Sequence, residues 1–578
     1  MHSVVPLMLM EIDLDRGVCR LQRRDDLRDK IGGSSLAAAL YREYGLPGED
    51  AFAPGQPLIF TIGPLTGYFP LMNKVVLGFK SPYSNDYVET HAGGRLALAL
   101  RFSGLAALVI RGDAPHPVYL TIGERHFACK DAGHLWGMDG SATARIIRGN
   151  EPRGRGQRSI LRIGAAGENL VKYACINVDT FRHFGRLGAG AVMGSKKLKA
   201  VMISGDRSYA LPHGDKSYSK LYRKIYQRIT ESGSMAKYHD LGTPVNVLVL
   251  NGLHALPTLN LSATTFAEAE RISGEYFADK LLLRQVACSG CPVGCIHIGL
   301  LREKFGPGHD YYYKQVSYDH EPIFAMGSML GVAPGEAVML LLEEAERWGL
   351  DVISCGVALA WATEARAAGL IGDEQTIFPL AFGQVEAYRR AIAAIATRTN
   401  EFYRLLGEGT AAAAARYGGS EFACVLGQEM AGYATGPVFF VSQALGFRYS
   451  HLDSAGYQLD QQKTPGLQEA LDHLEREERQ RLMLTSMVAC LFARNIYDRQ
   501  TVADALCVTG YADLAENLEE RFSSLQRERW RLKKESGYDP GAVSIPKRFQ
   551  EVRTLQGKLD AEFMEKLRLA YGAKIAGY

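Results

Sequence analysis

Long apolar runs are absent from this 578-residue sequence. A helix needs roughly 20 consecutive apolar residues to cross a bilayer, so no membrane span is expected. A surplus of one charge is absent too. The 66 basic and 63 acidic side chains leave a net charge of +3, which supplies no general attraction to nucleic acid or a membrane surface. Cysteine is scarce: ten residues are too few for a disulfide scaffold in a chain of this length. The opening MHSVVPLMLMEIDLDRG lacks a basic leader and a twin arginine and runs into the acidic EIDLD. It reads as a first strand rather than a signal peptide, and a reducing, cytoplasmic setting is expected. Internal repeats are missing, and the one biased tract, alanines at 411–415, is a helix interior.

What is present is concentrated. Three of the ten cysteines crowd into CSGCPVGC: Cys288, Cys291 and Cys295. A Cys-x2-Cys-x3-Cys run brings three thiolates to one centre from a tight turn, with Pro292 and Gly294 supplying the bends. Such a site takes soft metal, either an iron–sulfur cluster or zinc. A cubane needs a fourth ligand from elsewhere, whereas His297, two residues on, would complete a Cys3His zinc site. The spacing is the reverse of the CxxxCxxC of radical enzymes, which disfavours that chemistry.

The apolar share of 47% is ample for large cores, and the length suggests roughly three to four domains. Up to about residue 206 the pattern is glycine-rich with short strands, expected at 7–14, 58–62, 75–79, 107–111, 118–122, 159–163 and 199–203, plus a helix after Gly94. From about residue 217 apolar residues recur at three and four, as at 336–348, 352–368, 388–397 and 467–490. Gly349 reads as a helix C-cap. The fold class is therefore α+β: a β-rich mixed domain at 1–208, followed by mainly helical domains at 209–418 and 419–578. The charged stretches 475–481 and 521–534 read as solvated helix faces.

Several segments together resemble the aldehyde ferredoxin oxidoreductase family of bis-pterin tungsten enzymes. They are GPLTG from Gly63, KSP from Lys80, HAGGRLALALRFSGLAALVIRG from His91, AGENLVKYACINVD from Ala166, GRLGAGAVMGSKKLKAV from Gly185, CSGCPVGC, GLDVIS from Gly349 and CLF from Cys490. The resemblance implies a [4Fe-4S] cluster held by Cys288, Cys291, Cys295 and Cys490. It implies tungsten or molybdenum bound through two pyranopterins, with a magnesium ion bridging the pterin phosphates. It also implies oxidation of an aldehyde or related carbonyl to the acid, electrons leaving to ferredoxin or an iron–sulfur partner subunit, and a homodimer. The other six cysteines, Cys19, Cys129, Cys175, Cys355, Cys424 and Cys507, read as structural.

In that frame the N-terminal domain cradles the pterins. The implied contacts are Lys74, His91, Ala92, Gly93, Gly94, Arg182, Gly185, Arg186, Gly188, Glu346, Gly349, Leu350, Asp351, Thr485 and Ala489. Lys196 and Lys197 are further phosphate candidates. A Rossmann reading of the same glycines is weaker, because G-x-G-x3-G is one residue too long and FRHFGRL is not a plausible strand. Lys74 stands where the family has arginine, keeping the charge and losing the bidentate fork. Of two Asp-x-x-Gly-Leu motifs, the first survives as Glu346–Leu350 and the second is largely lost, with Thr485 for the aspartate and Val488-Ala489 for Gly-Leu. Glu321 aligns with an active-site glutamate, and Pro322-Ile323-Phe324 are expected to desolvate it and raise its pKa into general-base range. The family's third-domain histidine has no match in register. His451 is the nearest candidate, with Tyr449, Asp453 and Tyr457 as polar alternatives. Two other readings stand beside the enzyme: an electron-transfer or structural subunit with a degenerate pterin site, and a zinc-stabilised binding protein.

Overall fold

A computed structural model describes residues 6–152, 154, 156–208, 211 and 216–578. The N-terminal region builds two six-stranded mixed sheets. The first runs in the order Val18–Arg23, Met8–Asp13, Ala107–Arg111, Leu58–Thr61, Val75–Lys80, Tyr87–Ala92. Only Met8–Asp13 and Ala107–Arg111 are parallel. The second runs Arg182–Phe184, Ile176–Val178, Gln157–Arg162, Leu198–Gly205, Val118–Ile122, Phe127–Asp131. Inward residues of both sheets, such as Ile12, Leu77, Leu108, Leu120, Leu161 and Ile203, share one core with Leu96 and Leu100 of the helix Leu96–Ser103.

Five of these strands were not expected from the sequence. Val18–Arg23 is an edge with no clean alternation. Tyr87–Ala92 buries Glu89 among aromatics, a pattern hydropathy does not register as a strand. Arg182–Phe184, in the segment judged implausible as a strand, is a three-residue antiparallel edge on Ile176–Val178. An edge this short cannot be the central parallel strand a dinucleotide fold requires.

The remainder is mainly helical, as the 3.6-residue periodicity indicated. Gly335–Trp348 and Val352–Ala367 form its centre, with Trp361 fully buried. Gly349 ends the first helix in the left-handed region (φ 76°), and Asp351 caps the second through the Ile353 and Ser354 amides. The largest interruption of this region is a three-stranded antiparallel sheet, Leu282–Val286, Ile296–Lys304 and Tyr311–Tyr318; two two-stranded ribbons, Val425–Leu426 with Gln428–Glu429 and Arg553–Thr554 with Gly557–Lys558, are smaller. CSGCPVGC is the turn between the first two strands of the three-stranded sheet.

The charged stretches are solvated on one side only. Within the helices Leu467–Ser486 and Leu518–Glu535, the residues Glu478, Arg481, Gln526, Arg529 and Lys533 are all buried. All of these but Arg481 pair with one another or with the first sheet and its turn. Arg529 forks onto Glu89 at 2.9 and 3.1 Å, Lys533 meets Asp86 at 3.0 Å, and Gln526 and Trp530 donate to Glu478. No single described helix is long and apolar enough to cross a membrane.

Candidate active site

The segment 71–74, just before the strand Val75–Lys80, joins the two cysteine-bearing parts of the chain. The Leu71 amide donates to the Gly290 carbonyl at 3.2 Å, and the Asn73 amide side chain donates to the Ser289 carbonyl at 2.7 Å. On its other side the Leu71 carbonyl accepts from the Cys490 amide at 2.9 Å, Met72 bridges Ala489, and the Lys74 amide donates to the Val488 carbonyl. Cys490 thereby meets the loop of Cys288, Cys291 and Cys295 although some two hundred residues separate them.

The turn 91–94 closes the same place. The Gly94 amide donates to Cys288 Sγ at 3.2 Å, and the Gly94 carbonyl accepts from the Ser289 amide. A methyl group on Gly93 would lie 2.7 Å from both Cys288 Sγ and Lys74 Nζ. Glycine is what lets that backbone approach the sulfur. Burial alone would pull the Lys74 ammonium down in pKa, but the Cys490 and Cys288 sulfurs outweigh it and the net shift is upward. Arg182 behaves alike: burial lowers it, while Asp319 and then Cys288, Cys295 and Cys490 raise it. Lys74 and Arg182 thus both face Cys288, Cys295 and Cys490.

Among the described residues, no three His, Cys, Asp or Glu side chains converge tightly enough to hold a single metal ion. His297 does not turn to the cysteines. Its Nε2 lies 2.9 Å from the His239 carbonyl and its Nδ1 3.3 Å from the Cys295 carbonyl. The Cys3His zinc arrangement is not formed.

The two Asp-x-x-Gly-Leu-like segments end their helices in the same way. In the first, the Leu350 amide reaches back to the Ala345 carbonyl at 3.0 Å, Gly349 is left-handed, and Leu350 bridges Ala174. In the second, the Ala489 amide reaches Leu484 at 2.8 Å, Val488 is left-handed (φ 54°), and Ala489 bridges Met72. The backbone shape survives where the residues are lost, and a β-branched residue occupies a conformation that costs it about 1–3 kcal/mol.

The side chains differ. Glu346 accepts from Asn177 Nδ2 at 2.8 Å and contacts His183 Nε2; burial raises its carboxyl, but His183 and Arg162 bring the net shift below the ordinary range. Thr485 makes no such pair. Its hydroxyl lies 2.8 Å from Ser34, beside the Glu89–Arg529 pair. Arg186 reaches Asp351, Ser354 and the Glu429 carbonyl, and its Nη1 is buried without a partner. His91 sits 3.1 Å from Arg448 and 3.6 Å from Glu89, with burial and the Arg448 charge driving it down to about 4. Ala92 pairs with Val75.

Not every glycine and lysine expected at a cofactor is there. A Cβ on Gly188 would strike the Lys172 carbonyl at 2.1 Å, so this glycine serves chain packing; Gly185 is unobstructed. Lys196 donates to the Pro54 carbonyl and Lys197 to the Pro115 carbonyl. Both are spent on loop carbonyls and do not reach the cradle.

Glu321 stands in the first turn of the helix His320–Met326. Its Oε1 accepts from the Tyr433 hydroxyl at 2.8 Å and lies 3.2 Å from His451 Nε2. The histidine without a match in register therefore meets the glutamate, five residues being absorbed by the irregular loop 445–455. The expected upward pKa shift is not found. Burial does raise Glu321, but the hydrogen bond and charge of His451, with His320 and Tyr433, outweigh it and hold the carboxylate below its ordinary range. Because Glu321 accepts at Nε2, neutral His451 carries its lone pair on Nδ1, which is buried and has no partner.

Tyr433 is the residue the sequence reading missed. Its ring lies 5.0 Å from His451, 5.1 Å from His320 and 4.8 Å from Tyr457. Tyr433 stands in Gly432-Tyr433-Ala434-Thr435, upstream of the stretch around His451 in which the polar candidates were placed. Of the polar alternatives only Tyr457 joins this cluster. Tyr449 donates to Asp86 at 2.6 Å, and Asp453 is held by Arg448 at 2.7 Å.

Comparison with known proteins agrees over nearly the whole chain. The model for the N-terminal domain of aldehyde ferredoxin oxidoreductase matches residues 9–205, and that for its domains 2 and 3 matches residues 220–572. The tungsten-containing aldehyde ferredoxin oxidoreductase of Thermococcus kodakarensis is 32% identical over 424 residues, 72% of this chain and 67% of that protein. The aliphatic sulfonate oxidoreductase, WOR-like subunit, of Pyrococcus furiosus is 30% identical over 427 residues, 70% of this chain and 66% of that protein. Among solved structures, the BamBC active-site complex of benzoyl coenzyme A reductase with 1,5-dienoyl-CoA gives a TM-score of 0.82 at 20% identity, covering 98% of this chain and 94% of that one. At that identity the likeness is one of fold.

Proposed function

The chain belongs to the aldehyde ferredoxin oxidoreductase family, and from that premise we propose that it oxidises an aldehyde to its carboxylic acid and passes the electrons, singly, to an acidic protein carrier. The observation that carries this reading is Glu321, His451 and Tyr433 converging two residues from Asp319, whose carboxylate lies 3.9 Å from Arg182.

The residues suit the groups the reaction needs. Lys74 and Arg182 share Cys288, Cys295 and Cys490 as anionic neighbours, and Arg182 also has Asp319. Unpaired, each buried charge would cost several kcal/mol. Cys288, Cys291, Cys295 and Cys490 as ligands of a [4Fe-4S] cluster supply the compensating charge. Glu346, Asp351, Arg186 with its orphaned Nη1, and the 91–94 turn would hold the tungsten or molybdenum bis-pterin. Bound there, the metal centre supplies an oxygen for transfer and accepts an electron pair.

The chain itself manages the proton and the orientation. Oxidation of the aldehyde with water releases two electrons and two protons with the acid. Glu321 fixes the His451 tautomer through Nε2, and Tyr433 fixes Glu321. His451 Nδ1 takes up a proton as water is consumed. Glu321 is thus a positioning residue rather than the base.

Electrons leave beneath the helix Lys216–Thr230. Its Tyr218, Ile225 and Ile229 pack in the cluster that also contacts Cys291, Cys295 and Cys490. Its outer face carries Lys216, Lys220, Arg223 and Lys224 and no acidic residue. That face suits a negatively charged carrier. The deciding measurement is metal and pterin content of anaerobically purified protein together with aldehyde-dependent dye reduction. About four irons per chain with tungsten or molybdenum supports the reading; iron with neither heavy metal overturns it.

A further inference from the structure

We propose that the cleft lined by Arg481 and Arg494 is an anion subsite, and that the substrate is a carbonyl compound carrying a terminal oxyanion: carboxylate, sulfonate or phosphate. This deepens the reading above and rests on it.

The cleft encloses about 530 Å³ and is lined by charged residues, unlike the apolar wall usual for a small-molecule site. Five of its lining residues are arginine, against Glu477, Asp498 and Glu519. The compensation is uneven. Arg479 is bracketed by Glu475 at 3.1 Å and Glu519 at 2.8 Å, and Arg499 also faces Glu519. Arg481, only 4% exposed, is not compensated in this way. Its Nη1 reaches the Leu452 carbonyl at 3.1 Å, but Nε and Nη2 are buried without a hydrogen-bond partner, and Glu477 stays 3.8 Å away. Arg494 donates to the Leu491 carbonyl and, among the described residues, forms no ion pair. A buried guanidinium with two idle donor nitrogens is strongly unfavourable unless an anion completes it.

The position relative to the reacting groups makes this a substrate subsite. Leu452, which anchors Arg481, directly follows His451. Tyr457 stacks on Tyr433 at 4.8 Å, and burial raises its hydroxyl pKa while the Arg481 and Arg494 charges oppose the shift. Gln458, the next residue, lines the cleft. An anion on Arg481 and Arg494 would therefore sit against the segment 452–458 that directly follows His451. Guanidinium forks match the planar or tetrahedral oxyanion better than lysine would.

The test uses the anaerobic holoenzyme and length-matched four-carbon aldehydes, neutral or ending in carboxylate, sulfonate or phosphonate. The wild type is expected to favour at least one anionic member over the neutral one by tenfold or more in kcat/KM. In Arg481→Met and in the less buried Arg494→Met that ratio should collapse toward one, with tungsten, iron and pterin content retained. Loss of pterin from either variant would assign the arginines to the cofactor's phosphate and overturn the proposal, as would a wild-type preference for the neutral aldehyde. Calorimetric titration with inorganic sulfate and phosphate separates the two levels of failure. If no aldehyde turns over but the wild type binds these ions and Arg481→Met does not, the aldehyde reading fails and the subsite stands. If neither ion binds and the variants leave the ratio unmoved, the subsite fails and the aldehyde reading stands.

Discussion

At the scale of single residues, burial and partnership pull Glu321 in opposite directions. Desolvation favours the neutral acid, yet one imidazole and one phenol at hydrogen-bond distance hold it ionised. Sequence alone displays the apolar Pro322-Ile323-Phe324 and conceals His451, 130 positions later, which is why the desolvation argument gave the wrong sign. The division of roles has a measurable consequence. His451→Gln should lower kcat by about 10²- to 10⁴-fold, the range for loss of a general base, with metal and cluster spectra unchanged. Tyr433→Phe frees one lone pair of Glu321 and should produce a smaller loss, about tenfold, read in kcat rather than KM. Equal losses in both variants would contradict the assignment. His91 gives a pH test. Its folded pKa is driven from 6.5 down to about 4, so its contribution to stability is full above pH 6.5 and lost as pH falls through about 4. The shift corresponds to about 3 kcal/mol. Denaturant unfolding of the cofactor-free protein should weaken over that interval, and His91→Gln should flatten the profile.

Among elements, regular periodicity was legible and irregular backbone was not. The helices Gly335–Trp348 and Val352–Ala367 appear in the sequence within a residue or two, because an apolar stripe, a glycine stop and an aspartate cap all agree. The strand Tyr87–Ala92 was hidden because it turns Glu89 inward against Arg529, a partner 440 residues away. The same long-range pairing misled the reading of Leu467–Ser486 and Leu518–Glu535 as solvated: charge density in a sequence does not reveal whether the charges meet one another. The residues of the second helix-end motif looked lost, yet Val488 keeps the left-handed turn that glycine makes at 349. The helix Lys216–Thr230 carries an element-scale prediction. Lys220→Glu with Lys224→Glu should raise KM for an acidic electron carrier severalfold and flatten its salt dependence, leaving reduction of a small neutral dye intact.

For the whole molecule, the α+β class and the order of β-rich and helical regions were readable, while the convergence of remote segments was visible only through family resemblance. The link at 71–74 makes the cysteine site a joint between the first sheet, the small Cys-bearing sheet and the C-terminal helices. Cys490→Ala should therefore do more than alter iron content. In addition to a labile or three-iron spectrum, the holoprotein should lose thermal stability toward the cofactor-free value, whereas the same substitution in cofactor-free protein should shift the midpoint little. A large drop in both forms would mean that Cys490 acts through packing alone.

The distance along the chain between Cys295 and Cys490 also has a temporal side. A ribosome that has released the first three thiols must still add nearly two hundred residues before the last one emerges. During that interval three sulfurs stay open to oxidation, and a four-sulfur site cannot close until Cys490 is made. Filling of the proposed four-sulfur site therefore waits for the last of its cysteines.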